Sequence, residues 1–556
     1  MSAPHLLRKS PPVGSEAAAR RPDAVIVGSG VGGSMAAHAL VEGGMKVLMI
    51  ERGEHVERGR HNWAPDAAFE LSPYFRMESH YRLRGDSRGR KGTFQCVGGP
   101  SLFYGGVALR LRSSDFEPHA EITGTSGARW PISYADLALH YESAEGLLGV
   151  AGRPAADPFD PADEVAYPRR PPDLRGPARL VHDSATRLGL RPTHLPLAID
   201  FEGADSMGGG GDGKCAMCDT CDGYICAVGA KRDPAQAVLG GLVGRGLTLM
   251  SNTVAVRILW SGRRVDGVVC LDRSTGRRRV FSADRYLLAG GALGSPHLVL
   301  ASGLEAVSPA RDWIGRCLMR HSNMIAYGLF PSPLADSDAF HKQVGIFDHY
   351  GHTASEPKLG QLQSIHPPPP GLVARMVPRP LRPVIPPLRR RMAGLLAIAE
   401  DEPRRDNHIA VSRSQSDRYG IPRATITHSY TRRDRAARRK LAAVARAVLK
   451  EAGAIVVPSF RIRTFSHAVG TLRMGADPAT SPLDRWCRLR GTDNLWVADG
   501  SFMPRSGAVN PSLTIAANAL RVGSAVAGMG VTESAARTDP GRKATAPGRS
   551  RAGFAA

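Results

Sequence analysis

The sequence predicts an α/β fold in two domains. Three observations carry this reading. The chain has 556 residues, more than a single core usually holds. Near its start a short apolar run, Ala24-Val25-Ile26-Val27, leads into Gly28-Ser29-Gly30-Val31-Gly32-Gly33 and a small, apolar stretch to about Glu42. A second apolar run, Val47-Leu48-Met49-Ile50, closes the unit. Strand, glycine turn, helix and parallel strand in this order make a βαβ unit of Rossmann type.

The glycine segment has the pattern G-x-G-x-x-G. Gly28 permits the tight turn, Gly30 lets the backbone approach a pyrophosphate, and Gly33 lets helix and strand pack closely. Ser29 and Gly32 lie in the same turn, and the helix N-terminus faces the phosphates. Glu51 ends the second strand, 21 residues after Gly30. A carboxylate there accepts hydrogen bonds from ribose hydroxyls and repels a 2′-phosphate. The unit alone does not separate FAD from NAD.

Later elements alternate similarly. Strand-like runs fall at 247–259, 265–271 and 286–289, and residues 432–452 read as a basic amphipathic helix. The Pro/Arg-rich run 367–391 reads as an extended loop or lid, with peripheral membrane contact as one use of it. Residues 208–213 read as flexible, and 1–21 and 531–556 as disordered tails.

Hydrophobic residues make up 42% of the chain, enough for a core. The formal charge is +22. No nucleic-acid motif accompanies it, so the excess reads as a solvated, arginine-rich surface and no nucleic-acid partner is expected. No apolar run of about 18 residues occurs, and the first residues lack a signal-peptide core. A cytoplasmic protein is expected. Four of the 8 cysteines cluster as Cys215-x2-Cys218-x2-Cys221-x4-Cys226. That spacing suits an iron–sulfur cluster or zinc. A disulfide or a packed group of thiols is the alternative.

Further motifs follow in order: Gly98-Gly99-Pro100-Ser101-Leu102-Phe103-Tyr104-Gly105-Gly106, Gly290-Gly291-Ala292-Leu293-Gly294-Ser295-Pro296, His467-Ala468-Val469-Gly470-Thr471, Asp499-Gly500-Ser501, and Asn510-Pro511-Ser512. From Asp23 to Gly528 this set resembles the glucose–methanol–choline (GMC) oxidoreductase family of flavoproteins. The resemblance implies FAD and a Rossmann-like FAD-binding domain assembled from 22–115, 215–305 and 456–530. It implies a discontinuous substrate-binding domain, sheet plus helices, from 116–214 and 306–455. Gly99, Ser101, Gly105, Asp499, Gly500 and Pro511 would then face the cofactor, and the Ala255–Val256 backbone its adenine. Tyr104 stands where the family often has Asn. Some bacterial relatives carry cysteine-rich insertions, certain of them with an iron–sulfur cluster.

The implied reaction oxidises an alcohol CH–OH to a carbonyl. The cofactor takes the hydride, and the protein must take the proton and hold the oxygen. Neutral imidazole suits the first task, so His467 is assigned as general base. Asn510 offers an amide N–H to the same oxygen without adding charge. His321 is read as structural. Electrons would leave to oxygen, a quinone or a cytochrome. A non-redox FAD-containing lyase and a non-catalytic flavin-binding partner protein are the alternatives.

Overall fold

The computed structural model describes residues 21–154, 167–203, 213–351 and 358–538. The apolar run Ala24–Val27 lies at the centre of a five-stranded sheet. The strand order is Leu495–Val497, Arg285–Leu288, Ala24–Val27, Val47–Ile50 and Leu247–Met250, with every neighbouring pair parallel. Its inner strands are near-continuous apolar runs because both faces are covered by protein. On one face lies the helix Val31–Glu42, backed by the long final helix Ser512–Thr538. That helix continues through 531–538, which the sequence assigned to a tail. The expectations for residues 1–20, 204–212 and 539–556 lie outside the described residues.

A second, antiparallel sheet has six strands in the order Ser459–Arg461, Met324–Leu329, Met392–Ala399, Gly360–Ile365, Val344–Ile346 and Pro192–His194. One face packs on the predicted basic helix, now Arg432–Glu451. Leu441, Ala445 and Val448 meet Leu362, Leu395 and Ala397 there. Thr431 caps this helix by accepting from Asp434 N, and Asp434 returns the bond to Thr431 N, a complete capping box. Period-two alternation turns Gln361 and Gln363 to the opposite face, towards the parallel sheet's loops.

Two smaller sheets bridge these parts. The hairpin Phe75–Gly85 and Gly89–Phe94 joins His408–Ser416 and Pro422–His428. Thr253–Ser261, Arg264–Asp272 and Arg278–Phe281 form the other. The Pro/Arg-rich run is not an extended loop throughout. It folds into short helical pieces, Pro370–Met376, Arg379–Val384 and Ile385–Arg389. Proline within the first helical positions of each piece presets φ where its missing N–H costs nothing.

Candidate active site

The parallel strands deliver Gly28, Glu51, Ala289 and Ala498 to one edge of the sheet, where open α/β folds bind ligands. Close approach explains two glycines. A Cβ on Gly28 (φ +108°) would lie 2.3 Å from Ala289 O, and one on Gly32 would lie 1.8 Å from Ala498 O. Gly30 differs, since its Cβ would meet nothing nearer than Gly98 O at 4.0 Å. The turn therefore leaves a cleft between Gly30 and the Gly98–Gly99 backbone. The helix behind it has no side-chain cap and no acidic residue in its first turn. Its N–H groups are left to a ligand anion.

Glu51 is buried beside this cleft. Its Oε2 accepts from Ser29 N (3.1 Å) and Ser29 Oγ (2.6 Å), and its Oε1 accepts from Gly53 N (2.8 Å). Ser29 Oγ also accepts from Gly98 N at 3.0 Å, tying the two glycine motifs together. A fixed carboxylate with lone pairs to spare, beside an uncapped helix and an open glycine, fits the ribose and pyrophosphate of a dinucleotide.

Of the other expected cofactor residues, one borders the same cleft and the rest lie in neighbouring turns. Gly99 sits against Gly30, its would-be Cβ 3.5 Å from Gly30 Cα. The Ser101 hydroxyl donates to Gly98 O. Asp499 is buried, which raises its carboxyl pKa. Its oxygens accept from Gly291 N (2.9 Å), Ser501 N (2.9 Å) and the hydroxyls of Ser295 and Ser501. Its side chain thus clamps together the turns after two strands. Gly500 is packed beneath Ile515 and Val469, and Pro511 is buried directly before the final helix. Tyr104 donates its hydroxyl to Arg232 O at 2.6 Å, and its own carbonyl accepts from Lys231 Nζ at 2.6 Å. The tyrosine thereby binds the glycine loop to the cysteine-bearing segment.

His467 and Asn510, both half-buried, are brought together from separate loops. Asn510 Nδ2 lies 3.5 Å from His467 Nε2, the long limit of a hydrogen bond. On the other side of the ring, His467 Nδ1 lies 2.9 Å from His321 Nδ1. His321 Nε2 faces the carbonyl oxygen of Ser506 at 3.2 Å. A carbonyl only accepts, so His321 carries its proton on Nε2 and its neutral Nδ1 must accept. His467 then holds its proton on Nδ1, leaving Nε2 with a free lone pair. Burial, followed by His321 and Lys342, pushes the His467 pKa well below the usual 6.5.

Asn510 is oriented in the same way. Gln363 Nε2 donates to Asn510 Oδ1 (2.6 Å) and to Gln361 Oε1 (3.1 Å). Gln361 Nε2 donates to Ala508 O at 2.6 Å. This chain of amides points Asn510 Nδ2 at His467. The backbone beneath is also fixed. Asp401 accepts from Arg320 N (2.8 Å), His321 N (3.1 Å) and Ser506 Oγ (2.9 Å), holding His321 at φ +60°.

Sequence reasoning missed these supports. Gln361-x-Gln363 on an apolar strand was the available signal, since alternate buried amides need partners. A second missed group is the buried Lys342, 2.9 Å from Asp222 Oδ1, with His366 Nδ1 3.1 Å from Asp222 Oδ2. Burial pushes the Asp222 carboxyl pKa up, but Lys342 and His366 together outweigh it and hold the carboxyl well below the usual range. This group explains Gly105. A Cβ there would meet Asp222 Oδ1 at 2.3 Å and Lys342 Cε at 2.7 Å.

The four clustered cysteines lie together on one short segment. Among the described residues no group of three or more His, Cys, Asp or Glu side chains is arranged to hold a metal ion. All of Cys215, Cys218, Cys221 and Cys226 are free thiols with local partners. Cys215 accepts from Met217 N (3.3 Å) and Cys226 from Lys231 N (3.5 Å). Cys218 contacts Thr220 Oγ1 at 3.1 Å. A hydrogen bond from Cys221, then Thr220, lowers the Cys218 pKa to about 5. The segment is organised instead by Lys231, whose ammonium reaches the carbonyls of Tyr104, Cys221 and Tyr224. Three carbonyls satisfy one buried cation, and the sulfurs are held where that backbone places them.

Comparison with known proteins matches the chain to one family. Two family models described as GMC oxidoreductase match residues 23–323 and 403–519. The 6'''-hydroxyparomomycin C oxidase of Streptomyces lividus is 31% identical, covering 91% of each chain. Paromamine 6'-oxidase of Streptomyces fradiae is likewise 31% identical over 91% of each. The fructose dehydrogenase large subunit of Gluconobacter japonicus is 25% identical, over 91% of this chain and 97% of its own. Pyridoxine 4-oxidase from Mesorbium loti shares the fold. Its crystal structure gives a TM-score of 0.62 at 21% identity, over 90% of this chain and 98% of that one.

Proposed function

Since the chain belongs to the GMC oxidoreductase family, whose members here include alcohol oxidases and dehydrogenases, we propose that His467 and Asn510 are its working pair in alcohol oxidation. Membership makes the protein an FAD-dependent oxidoreductase acting on CH–OH groups. The observation that carries the pair's assignment is the hydrogen-bond chain that leaves His467 Nε2 unprotonated, with its lone pair facing the Asn510 Nδ2 amide at 3.5 Å.

When bound, FAD supplies the acceptor for the hydride leaving the carbinol carbon. Ser29, Gly30, Gly99 and Glu51 would hold its dinucleotide part, with Gly28, Gly32 and Gly33 shaping the turn and Gly105 giving Asp222 and Lys342 room. Asn510 Nδ2 donates to the substrate hydroxyl oxygen and orients it. His467 Nε2 accepts the hydroxyl proton, leaving that oxygen as the carbonyl oxygen of the product. Lys342 adds positive potential that favours negative charge on the substrate oxygen and disfavours premature protonation of His467. Asp499 and Ser101 act as buttresses of the cofactor turns.

The wall opposite His467 is polar. Gln363, Asp222, Lys342 and His366 are all buried or engaged there. It suits an alcohol carrying further hydroxyl or amino groups, the kind of compound that the two 31% identical oxidases are named for. An anaerobic screen of sugar-like and simple alcohols, read by flavin bleaching, tests this. His467→Ala should slow bleaching by about 10²–10⁴-fold, the usual contribution of a general base. Bleaching at an unaltered rate in that variant overturns the assignment. Running the active alcohol with oxygen and then with a quinone or a cytochrome identifies the electron acceptor.

A further inference from the structure

The excursion between the strands Gly360–Ile365 and Met392–Ala399 leaves the sheet beside His366, crosses the surface and returns to the neighbouring strand. Its first residue, His366, pairs with Asp222. Arg389, near its end, donates to Asp219 Oδ2 at 2.7 Å and to Pro368 O at 3.1 Å. The base of the excursion is thus pinned to the cysteine-bearing segment, and Ile385 is buried as an apolar anchor. Residues 368–374 are half-buried, and beyond them most of the excursion is exposed. Residues 378–384 are all exposed. Met376, Leu381, Val384 and Leu388 are 80%, 54%, 53% and 40% exposed, a local concentration of bare apolar side chains. Soluble surfaces rarely leave such a group uncovered without a use.

Charge identifies what covers it. No Asp or Glu occurs from residue 357 to residue 399. The run carries Arg375, Arg379, Arg382, Arg389, Arg390 and Arg391. Among the described residues, Arg375, Arg379 and Arg382 have no carboxylate partner, whereas Arg389 and Arg390 are paired with Asp219 and Asp338. Short helices with exposed apolar side chains between free guanidinium groups match the chemistry of an anionic lipid surface. The apolar tips enter the acyl boundary while arginine stems lie along it and their heads meet phosphates. No described helix is long and apolar enough to cross a membrane, so contact of this kind is peripheral. We propose that residues 371–391 dock the protein on anionic phospholipid bilayers. The inference does not depend on the reaction proposed above.

The test is co-sedimentation of the full flavin-loaded protein with vesicles of phosphatidylcholine alone or mixed with phosphatidylglycerol. Wild type should pellet with the mixed vesicles and stay in solution with the neutral ones. Replacing Arg375, Arg379 and Arg382 with Gln should weaken partition at least roughly tenfold, given a contribution from each basic residue near the surface. Replacing Met376, Leu381 and Val384 with Ser should weaken it comparably. Flavin content and alcohol oxidation should be unchanged in both. Absence of wild-type binding to mixed vesicles overturns the proposal. So does binding that ignores the apolar replacements and vanishes in high salt, which is adsorption to any polyanion, an acidic protein included. Hydrogen exchange on wild type needs no variant. Residues 371–391 should gain protection on adding mixed vesicles, and protection elsewhere without it there also overturns the proposal.

Discussion

The Nδ1 atoms of His321 and His467 face each other at 2.9 Å, and only one proton can lie between them. The Ser506 carbonyl decides which ring supplies it, because that carbonyl takes the Nε2–H of His321. His321 thereby sets the tautomer of the proposed base. His321→Gln can mimic one acceptor position, whereas His321→Leu offers none. Anaerobic flavin reduction should slow by about tenfold or more in His321→Leu, the scale of one lost buried hydrogen bond. It should recover in part in His321→Gln. Equal rates in wild type and His321→Leu would remove this role.

Gln363 orients Asn510 through its 2.6 Å bond to Asn510 Oδ1. Among the described residues its own Oε1 has no partner although it is buried. Gln363→Leu frees the Asn510 amide to flip, presenting an oxygen to the base and the substrate. The expected result is a fall in kcat of about tenfold, from roughly 1–2 kcal/mol of lost orientation, with His467 titration unchanged. An unaltered kcat contradicts the orienting role.

The pH profile follows from the groups around His467. Its working form is neutral, and burial, His321 and Lys342 lower its pKa well below 6.5, opposed only by Asp401. Protonation, and loss of activity, therefore begins only when pH falls below that lowered value. kcat/KM should show no acidic limb near 6.5. Removing Lys342 with its partner, as Lys342→Met with Asp222→Asn, avoids stranding a buried charge. It should move the limb upward, towards 6.5. A limb already at 6.5 in wild type contradicts the environment described.

The two glycines of the first turn predict different failures. Gly32→Ala drives a Cβ into the Ala498 carbonyl at 1.8 Å, so the protein should be poorly folded or much less stable. Gly30→Ala has room within the protein, with 4.0 Å to Gly98 O. It should fold with a nearly wild-type melting temperature yet retain less FAD on dialysis. Full flavin retention in Gly30→Ala would show that the cleft beside Gly30 is not the pyrophosphate site.

Acid should destabilise the protein from about pH 6.5 downward. Burial lowers the pKa of His341 to about 3 and that of His194 to about 4, with His297, His321 and His428 shifted in the same direction. Between those values and 6.5 the unfolded chain binds protons that the folded chain refuses. Stability present above 6.5 is therefore lost as pH falls. Melting temperature measured against pH should decline through this window, and a flat curve would contradict the burial of these rings.

The sequence alone determined the βαβ unit that opens the parallel sheet. The glycine turn, its flanking strands and Glu51 are consecutive, and their spacing is imposed by local backbone geometry, so one stretch displays them all. His467 and Asn510 were legible through the motifs around them, and the basic helix through its period. The tertiary structure decided the rest. The contacts of His321 with His467, of Gln363 with Asn510 and of Lys342 with Asp222 each join residues more than 100 positions apart. No periodicity or spacing encodes a contact between separate loops; only the packing of the antiparallel sheet against the parallel one creates it. The cysteines add a second case: their spacing is legible in the sequence, whereas the carbonyls of Tyr104, Cys221 and Tyr224 gathered by Lys231 are fixed only by the fold.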